Sequence, residues 1–141
     1  MILGEYEHRI DRKGRVAIPA KLRKAFQEGL VLTRGVDRCM LAYPLAEWQR
    51  ICESFADLPT TRDKNRRLIR ITFASAFSAE LDGQGRVALP LPLREYARIK
   101  EVVVMAGVNK YLEIWSKESW EKEKQLMEEQ AWQIAEGMEL R

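Results

Sequence analysis

The 141-residue sequence predicts an α+β, β-rich fold built from two copies of one small unit. Two observations carry this expectation. A nine-residue phrase is written twice, as Asp11-Arg12-Lys13-Gly14-Arg15-Val16-Ala17-Ile18-Pro19 and Asp82-Gly83-Gln84-Gly85-Arg86-Val87-Ala88-Leu89-Pro90, at an offset of 71 residues. Each copy also sits in the same succession of short β-rich runs, turn residues and one short helix. The likeness reaches beyond the phrase. Leu22-Arg23 matches Leu93-Arg94 at that offset, and Gly35-Val36 matches Gly107-Val108, as Trp48 does Trp120, at an offset of 72. An offset of about half the chain is too long for a solenoid repeat and fits a duplicated unit.

Residues 1–10 mix polar residues with Ile2, Tyr6 and Ile10 and read as a strand entering the first phrase. Asp11 suits the opening of a turn because its carboxylate accepts backbone N–H groups, and Gly14 takes a positive φ without strain. Val16 and Ile18 then share one strand face and Arg15 and Ala17 the other, so Arg15 stands at the tip of a hairpin-like turn, away from the core. Pro19 closes the strand, since it has no N–H to donate, and opens a short helix over Ala20 to Phe26 with Leu22, Ala25 and Phe26 as its stripe. Strands follow at 30–33 and 39–43 around a Gly35–Arg38 turn.

From Pro44, the apolar positions Leu45, Trp48, Ile51, Cys52 and Phe55 recur at helical spacing, to an end near Pro59. Thr60 or Thr61 is a candidate cap for a second, arginine-rich helix. The second unit repeats the order: a strand at 77–81, the second phrase, a short helix from Pro92 through Ala97, and strands at 102–105 and 111–115 around a turn at Gly107–Lys110. Ser116 is a plausible cap for a tail helix with a thin stripe of Trp120, Leu126, Met127 and Ile134, whose last residues from Gly137 are expected to fray. The expected organisation is a first unit at 1–48, a helical connector at 49–76, a second unit at 77–120 and a C-terminal helical tail at 121–141.

Composition narrows the chemistry. No apolar run approaches the roughly 20 residues of a spanning helix and no signal peptide is indicated, so a cytoplasmic protein is expected. Cys39, Cys52 and the single His8 make neither a disulfide framework nor a zinc-ligand set, and both cysteines read as core thiols. The sequence holds no nucleophile motif beside a histidine, no G-x-x-x-x-G-K and no G-x-G-x-x-G after a strand, so no enzyme, cofactor, metal or small-molecule substrate is expected. Asp11 and Asp82 are conceivable as paired acid–base carboxylates, but their identical places before a glycine and an arginine read better as structural, each pairing also with Arg23 or Arg94 of its own unit.

The charge is uneven. Residues 1–70 carry 15 Lys/Arg against 9 Asp/Glu, and residues 71–141 carry 9 against 12. Either the first half faces a polyanion or it carries a solvated face. Two equivalent turns place Arg15 and Arg86 symmetrically, and arginine is the side chain best suited to bidentate contact with guanine or phosphate. Arg12 and Lys13 add charge to the first turn, while Gly83 and Gln84 occupy those places in the second. The opposing reading, that both arginines only cap their turns or form ion pairs, stays open on pattern alone.

The phrase D-x-x-G-R-V-A-[IL]-P followed by L-R resembles the DNA-binding module of the SpoVT/AbrB type. Two modules in one chain, with Gly4-Glu5-Tyr6-Glu7-His8 leading to Ile10-Asp11 and with Tyr43-Pro44-Leu45 leading to Glu47-Trp48, resemble the MraZ family of transcriptional regulators, over residues 1 to about 125. The resemblance implies tandem swapped-hairpin units forming an intrachain pseudo-dimeric β-barrel with added helices. It implies DNA contact by Arg15 and Arg86 with Lys13 in support, on turns shaped by Asp11, Gly14, Asp82 and Gly85. Gly83 departs from the larger residue usual in the family. The resemblance further implies ring-shaped homo-oligomers whose subunits face the same way and so read direct repeats of double-stranded DNA about one helical turn apart. The function it implies is a nucleoid-associated regulator, a repressor of the bacterial division and cell wall gene cluster acting at its own promoter. The alternative is a ring-forming structural or interaction protein without specific DNA binding.

Overall fold

The computed structural model describes residues 1–137. Residues 138–141 lie outside the described residues, and with them most of the segment expected to fray. The first unit runs through β1 (Glu5–Arg9), β2 (Arg15–Ala17), a 3-10 helix (Ala20–Phe26), β3 (Leu30–Arg34) and β4 (Met40–Pro44). α1 (Leu45–Phe55) and α2 (Asp63–Ala74) follow. The second unit repeats the order as β5 (Phe77–Ala79), β6 (Arg86–Ala88), α3 (Leu91–Tyr96), β7 (Val102–Gly107) and β8 (Leu112–Ser116), and α4 (Lys117–Gly137) follows.

Pairing crosses between the units. The six-stranded sheet has the order β1-β7-β8-β4-β3-β5, and β2 pairs with β6 in a separate ribbon. Exchanging each strand of one unit for its counterpart reverses this order onto itself. A pseudo-two-fold therefore passes between β4 and β8 and again between β2 and β6. Each entering strand leaves its own unit, β1 pairing antiparallel with β7 and β5 with β3. This is the swapped-hairpin α+β arrangement, a six-stranded sheet bounded by β1 and β5 with the β2–β6 ribbon packed over its inner face.

One core fills the space between ribbon and sheet. Val16, Ile18, Val87 and Leu89 come from the phrases, Phe26 and Leu93 from the short helices, and Leu32, Met40, Val103, Met105, Leu112 and Ile114 from the sheet, all at most 2% exposed. The β-branched run of β7 is buried on both faces: Val103 and Met105 point to this core, Val104 and Ala106 to a smaller cluster with Cys39, Trp115 and Trp120. Trp115 and Trp120 meet edge to face with ring centroids 5.5 Å apart, which pins the start of α4 to the sheet. Ser116 Oγ accepts the Ser119 N–H at that helix start.

Several expectations are corrected. Ala25 is exposed, because the tighter winding of the 3-10 helix turns only Leu22 and Phe26 inward. Cys39 is buried, and burial first and then nearby carboxylates push its thiol up to about 12, but Cys52 is only half-buried on α1 and is not a core thiol. Neither Thr60 nor Thr61 caps α2; Arg62 occupies that position without a capping side chain. Leu126, Met127 and Ile134 form no packed stripe, being 49%, 38% and 50% exposed.

Glycines separate structural from permissive positions. A Cβ on Gly107 would meet the Ile2 carbonyl oxygen at 2.6 Å, where β7 passes the N-terminal segment, whereas one on Gly83 would meet nothing within 4 Å. Gly107→Ala is expected to cost about 1–3 kcal/mol, and Gly83→Ala no more than about 0.5 kcal/mol. Urea unfolding midpoints check this: a lowered midpoint for the first variant alone is the expected result, and equal midpoints contradict it.

Candidate nucleic-acid interface

Each phrase folds through its aspartate. Asp11 Oδ1 accepts the backbone N–H groups of Lys13 and Arg15, both at 2.9 Å, and Oδ2 accepts Nε of Arg15 at 2.8 Å. Asp82 does the same for the Gln84 and Arg86 N–H groups at 2.9 Å and for Arg86 Nε at 2.8 Å. Gly14 and Gly85 close the turns with φ of 78° and 75°, values that favour glycine. The donors act on the carboxylates. The N–H of Arg15 leads in holding Asp11 below its ordinary 3.8, followed by its guanidinium and the Lys13 N–H; for Asp82 the N–H of Arg86 leads, then that of Gln84 and the Arg86 guanidinium. Both carboxylates are engaged by the N–H groups of their own turns, the structural role that their place before a glycine and an arginine suggests.

The ribbon sets where the arginines stand. Arg15 lies opposite Ala88, Val16 opposite Val87, and Ala17 opposite Arg86. Side chains alternate along a strand, so the two valines face the core and the two arginines lie diagonally on the outer face, one on each side of the pseudo-two-fold. Both arginine side chains are about one-third exposed, 30% and 31%. Nε is bonded in each, and NH1 of Arg86 also lies 3.9 Å from Asp11 Oδ2, a contact with no counterpart at Arg15. Two backbone bonds close the turn before each arginine: Asp11 N–H to Arg15 O and Asp82 N–H to Arg86 O, both 2.8 Å, and Gly14 N–H to Asp11 O and Gly85 N–H to Asp82 O, both 3.0 Å. Arg15 therefore begins a strand paired across the units rather than topping a hairpin of its own.

Arg23 and Arg94 do not pair with their own aspartates. Nε of Arg23 donates to the Ile18 carbonyl and Nε of Arg94 to that of Leu89, both at 2.9 Å. Each guanidinium then lies against the other unit's turn glycine, Arg94 on Gly14 and Arg23 on Gly85, where any Cβ would collide with it. The turns are thus braced crosswise. The signal was the repeated Leu-Arg pair, but a sequence does not tell a partner within a unit from one across it. Arg12 and Lys13 are exposed on the first turn, as are Gly83 and Gln84 on the second.

The comparisons with known proteins follow the same division. The family described as "MraZ protein, putative antitoxin-like" matches residues 1–71 and again 72–141. The chain belongs to the MraZ family. It is 48% identical over 140 residues, 99% of both chains, to a Dehalococcoides mccartyi protein named "Transcriptional regulator MraZ". Proteins of the same name from Herpetosiphon aurantiacus and Caldanaerobacter subterraneus are 49% and 48% identical over 121 and 122 residues, covering 86% of this chain and 85% of theirs. The MraZ repeat divides at 71/72, inside α2.

A carboxylate held below its unfolded value stabilises the fold fully above about pH 3.8, and that contribution is lost as pH falls through the lower, folded value. The double variant Asp11→Asn/Asp82→Asn is expected to be less stable than wild type at pH 6 and to show a shallower loss below pH 4. Urea midpoints between pH 6 and pH 3 read both; identical curves would count against the turn chemistry.

Proposed function

We propose that the chain is a sequence-specific DNA-binding transcriptional regulator that reads double-stranded DNA with Arg15 and Arg86, supported by Lys13. The observation carrying this reading is the ribbon: it presents two arginines on one outer face, on either side of a pseudo-two-fold. A two-stranded ribbon fits the major groove, and a guanidinium matches guanine O6 and N7. Nε fixes each guanidinium to a turn aspartate, which orients the remaining N–H groups before any ligand arrives. Lys13 and Arg12 add phosphate attraction on one side only, so the two halves of the reading face contribute unequally.

The names of the relatives support regulation of transcription. The proposal extends to homo-oligomeric rings, direct repeats in the chain's own promoter, repression of the division and cell wall cluster, and a place on the nucleoid. Units 1–48 and 77–120 carry the reading turns, 49–76 joins them, and 121–141 is the tail. No catalytic step is assigned. Among the described residues no group of three or more His, Cys, Asp or Glu could hold a metal ion, and no helix is long and apolar enough to cross a membrane.

Arg15→Ala and Arg86→Ala are each expected to weaken binding to a direct-repeat duplex by about 1–3 kcal/mol, roughly 5- to 160-fold. Lys13→Ala is expected to weaken binding to all sequences and to lower the salt slope by about one. Gel-shift titrations at matched and varied salt read these effects. Wild-type affinity in either arginine variant contradicts the site, and no salt-dependent shift with the wild-type chain contradicts DNA binding as such.

A further inference from the structure

A groove of about 850 Å³ lies between α2, the β3–β4 turn and α3, walled by Arg34, Arg38, Arg67 and Arg70. The guanidinium carbons of Arg34 and Arg38 stand 4.0 and 4.8 Å from the Tyr96 ring centroid, and the Tyr96 hydroxyl donates to the Gly35 carbonyl. Among the described residues none of the four is in an ion pair, although Arg9, Arg15, Arg50, Arg66 and Arg86 all are. Glu95 lines the same groove without reaching one of them. The groove also has an apolar wall, in which Ile71 remains 48% exposed. Four uncompensated cations around an apolar wall and an aromatic ring call for an anionic partner with an aromatic or apolar face.

The chain carries such a partner. From Gln125 to Gly137 every residue of α4 is exposed, and this stretch has Glu128, Glu129 and Glu136 but no Lys or Arg. Trp132 is 79% exposed and sits one helical turn from Glu128 on one side and from Glu136 on the other. A lone exposed tryptophan between carboxylates is the complement of Tyr96 between arginines, and Trp and Arg are the residues that dominate binding energy at interfaces. A phosphodiester backbone would match the arginines but leave the apolar wall unused.

This helix is directed away from the groove of its own chain. Lys117 bonds Glu7 at 3.3 Å and Lys124 bonds Glu5 at 3.2 Å, and Glu7 and Glu5 face Val104 and Ala106 in turn. The helix therefore runs from Ser116 toward the Gly107 end of β7, and its second half continues past that end. Met40 pairs with Ile114, two residues from Ser116, so the β3–β4 turn with Arg34 and Arg38 lies at the opposite end of the sheet.

We infer that the acidic second half of α4, led by Trp132, docks into the arginine groove of a second copy of this chain. The contact is heterologous, tail into groove, and repeats from copy to copy. It rests on the assembly part of the proposed function and names its surfaces. Sedimentation of the full chain without DNA, at low and high salt, tests it. Wild type is expected to assemble. Arg67→Glu/Arg70→Glu and Glu128→Arg/Glu129→Arg are each expected to dissociate at concentrations about tenfold higher, Trp132→Ala likewise, and an equimolar mixture of the two charge variants to associate again. A wild-type chain that stays monomeric overturns both assembly and docking. Variants that assemble like wild type overturn the docking alone, as does a groove variant that assembles normally and loses affinity for DNA.

Discussion

The rest of the structure depends on the pairing of two three-residue strands, β2 and β6, around Val16 and Val87. Strands this short have little stability alone, and neither could hold a sheet within its own unit. Their pairing works because both inner valines are buried to 1% in a core shared with the six-stranded sheet, while the flanking turns are closed by aspartate and braced by an arginine from the other unit. Backbone pairing, core and turn bracing all cross between the units, so each half is completed only by the other. The same pairing places Arg15 and Arg86 on one outer face, so the surface proposed to read DNA is a consequence of how the core closes.

Outside this symmetric head the chain is unequal, and the inequality follows its two helical additions. After β4, α1 turns back and α2 packs on it, with Trp48 and Phe55 each meeting Phe73 at centroid distances of 5.6 and 5.4 Å. After β8, α4 takes the place of α1, as the match of Trp48 with Trp120 anticipates, but the described residues offer no counterpart of α2 and its second half stays uncovered. A basic groove on the α2 side and an acidic helix on the other give the molecule two unlike ends. Unlike ends suit head-to-tail association, and such association suits DNA sites repeated in one direction.

The duplication was legible in the twice-written phrase because its residues answer to local rules. Asp11 and Asp82 bind N–H groups within four residues, Gly14 and Gly85 take the positive φ that a tight turn demands, and Pro19 and Pro90 end strands for lack of a donor. What was not legible is long-range. β1 alternates in the same way whether it pairs with β3 or with β7, so pattern reports a strand without naming its partner. Arg23 beside Asp11 reads as an ion pair until the exchange of strands carries it to Gly85. Cys52 and the stripe of α4 follow apolar spacing, yet spacing reports a face and not what lies against it. The groove of Arg34, Arg38, Arg67 and Arg70 is drawn from two distant segments, and in sequence only the run at 62–70 stood out.

The most direct measurement of the central claim is a high-resolution structure of the full chain bound to a duplex carrying direct repeats. The β2–β6 ribbon is expected in the major groove, with Arg15 and Arg86 within hydrogen-bond distance of base edges and Lys13 at a phosphate. A duplex bound elsewhere, with the ribbon facing solvent, would contradict it.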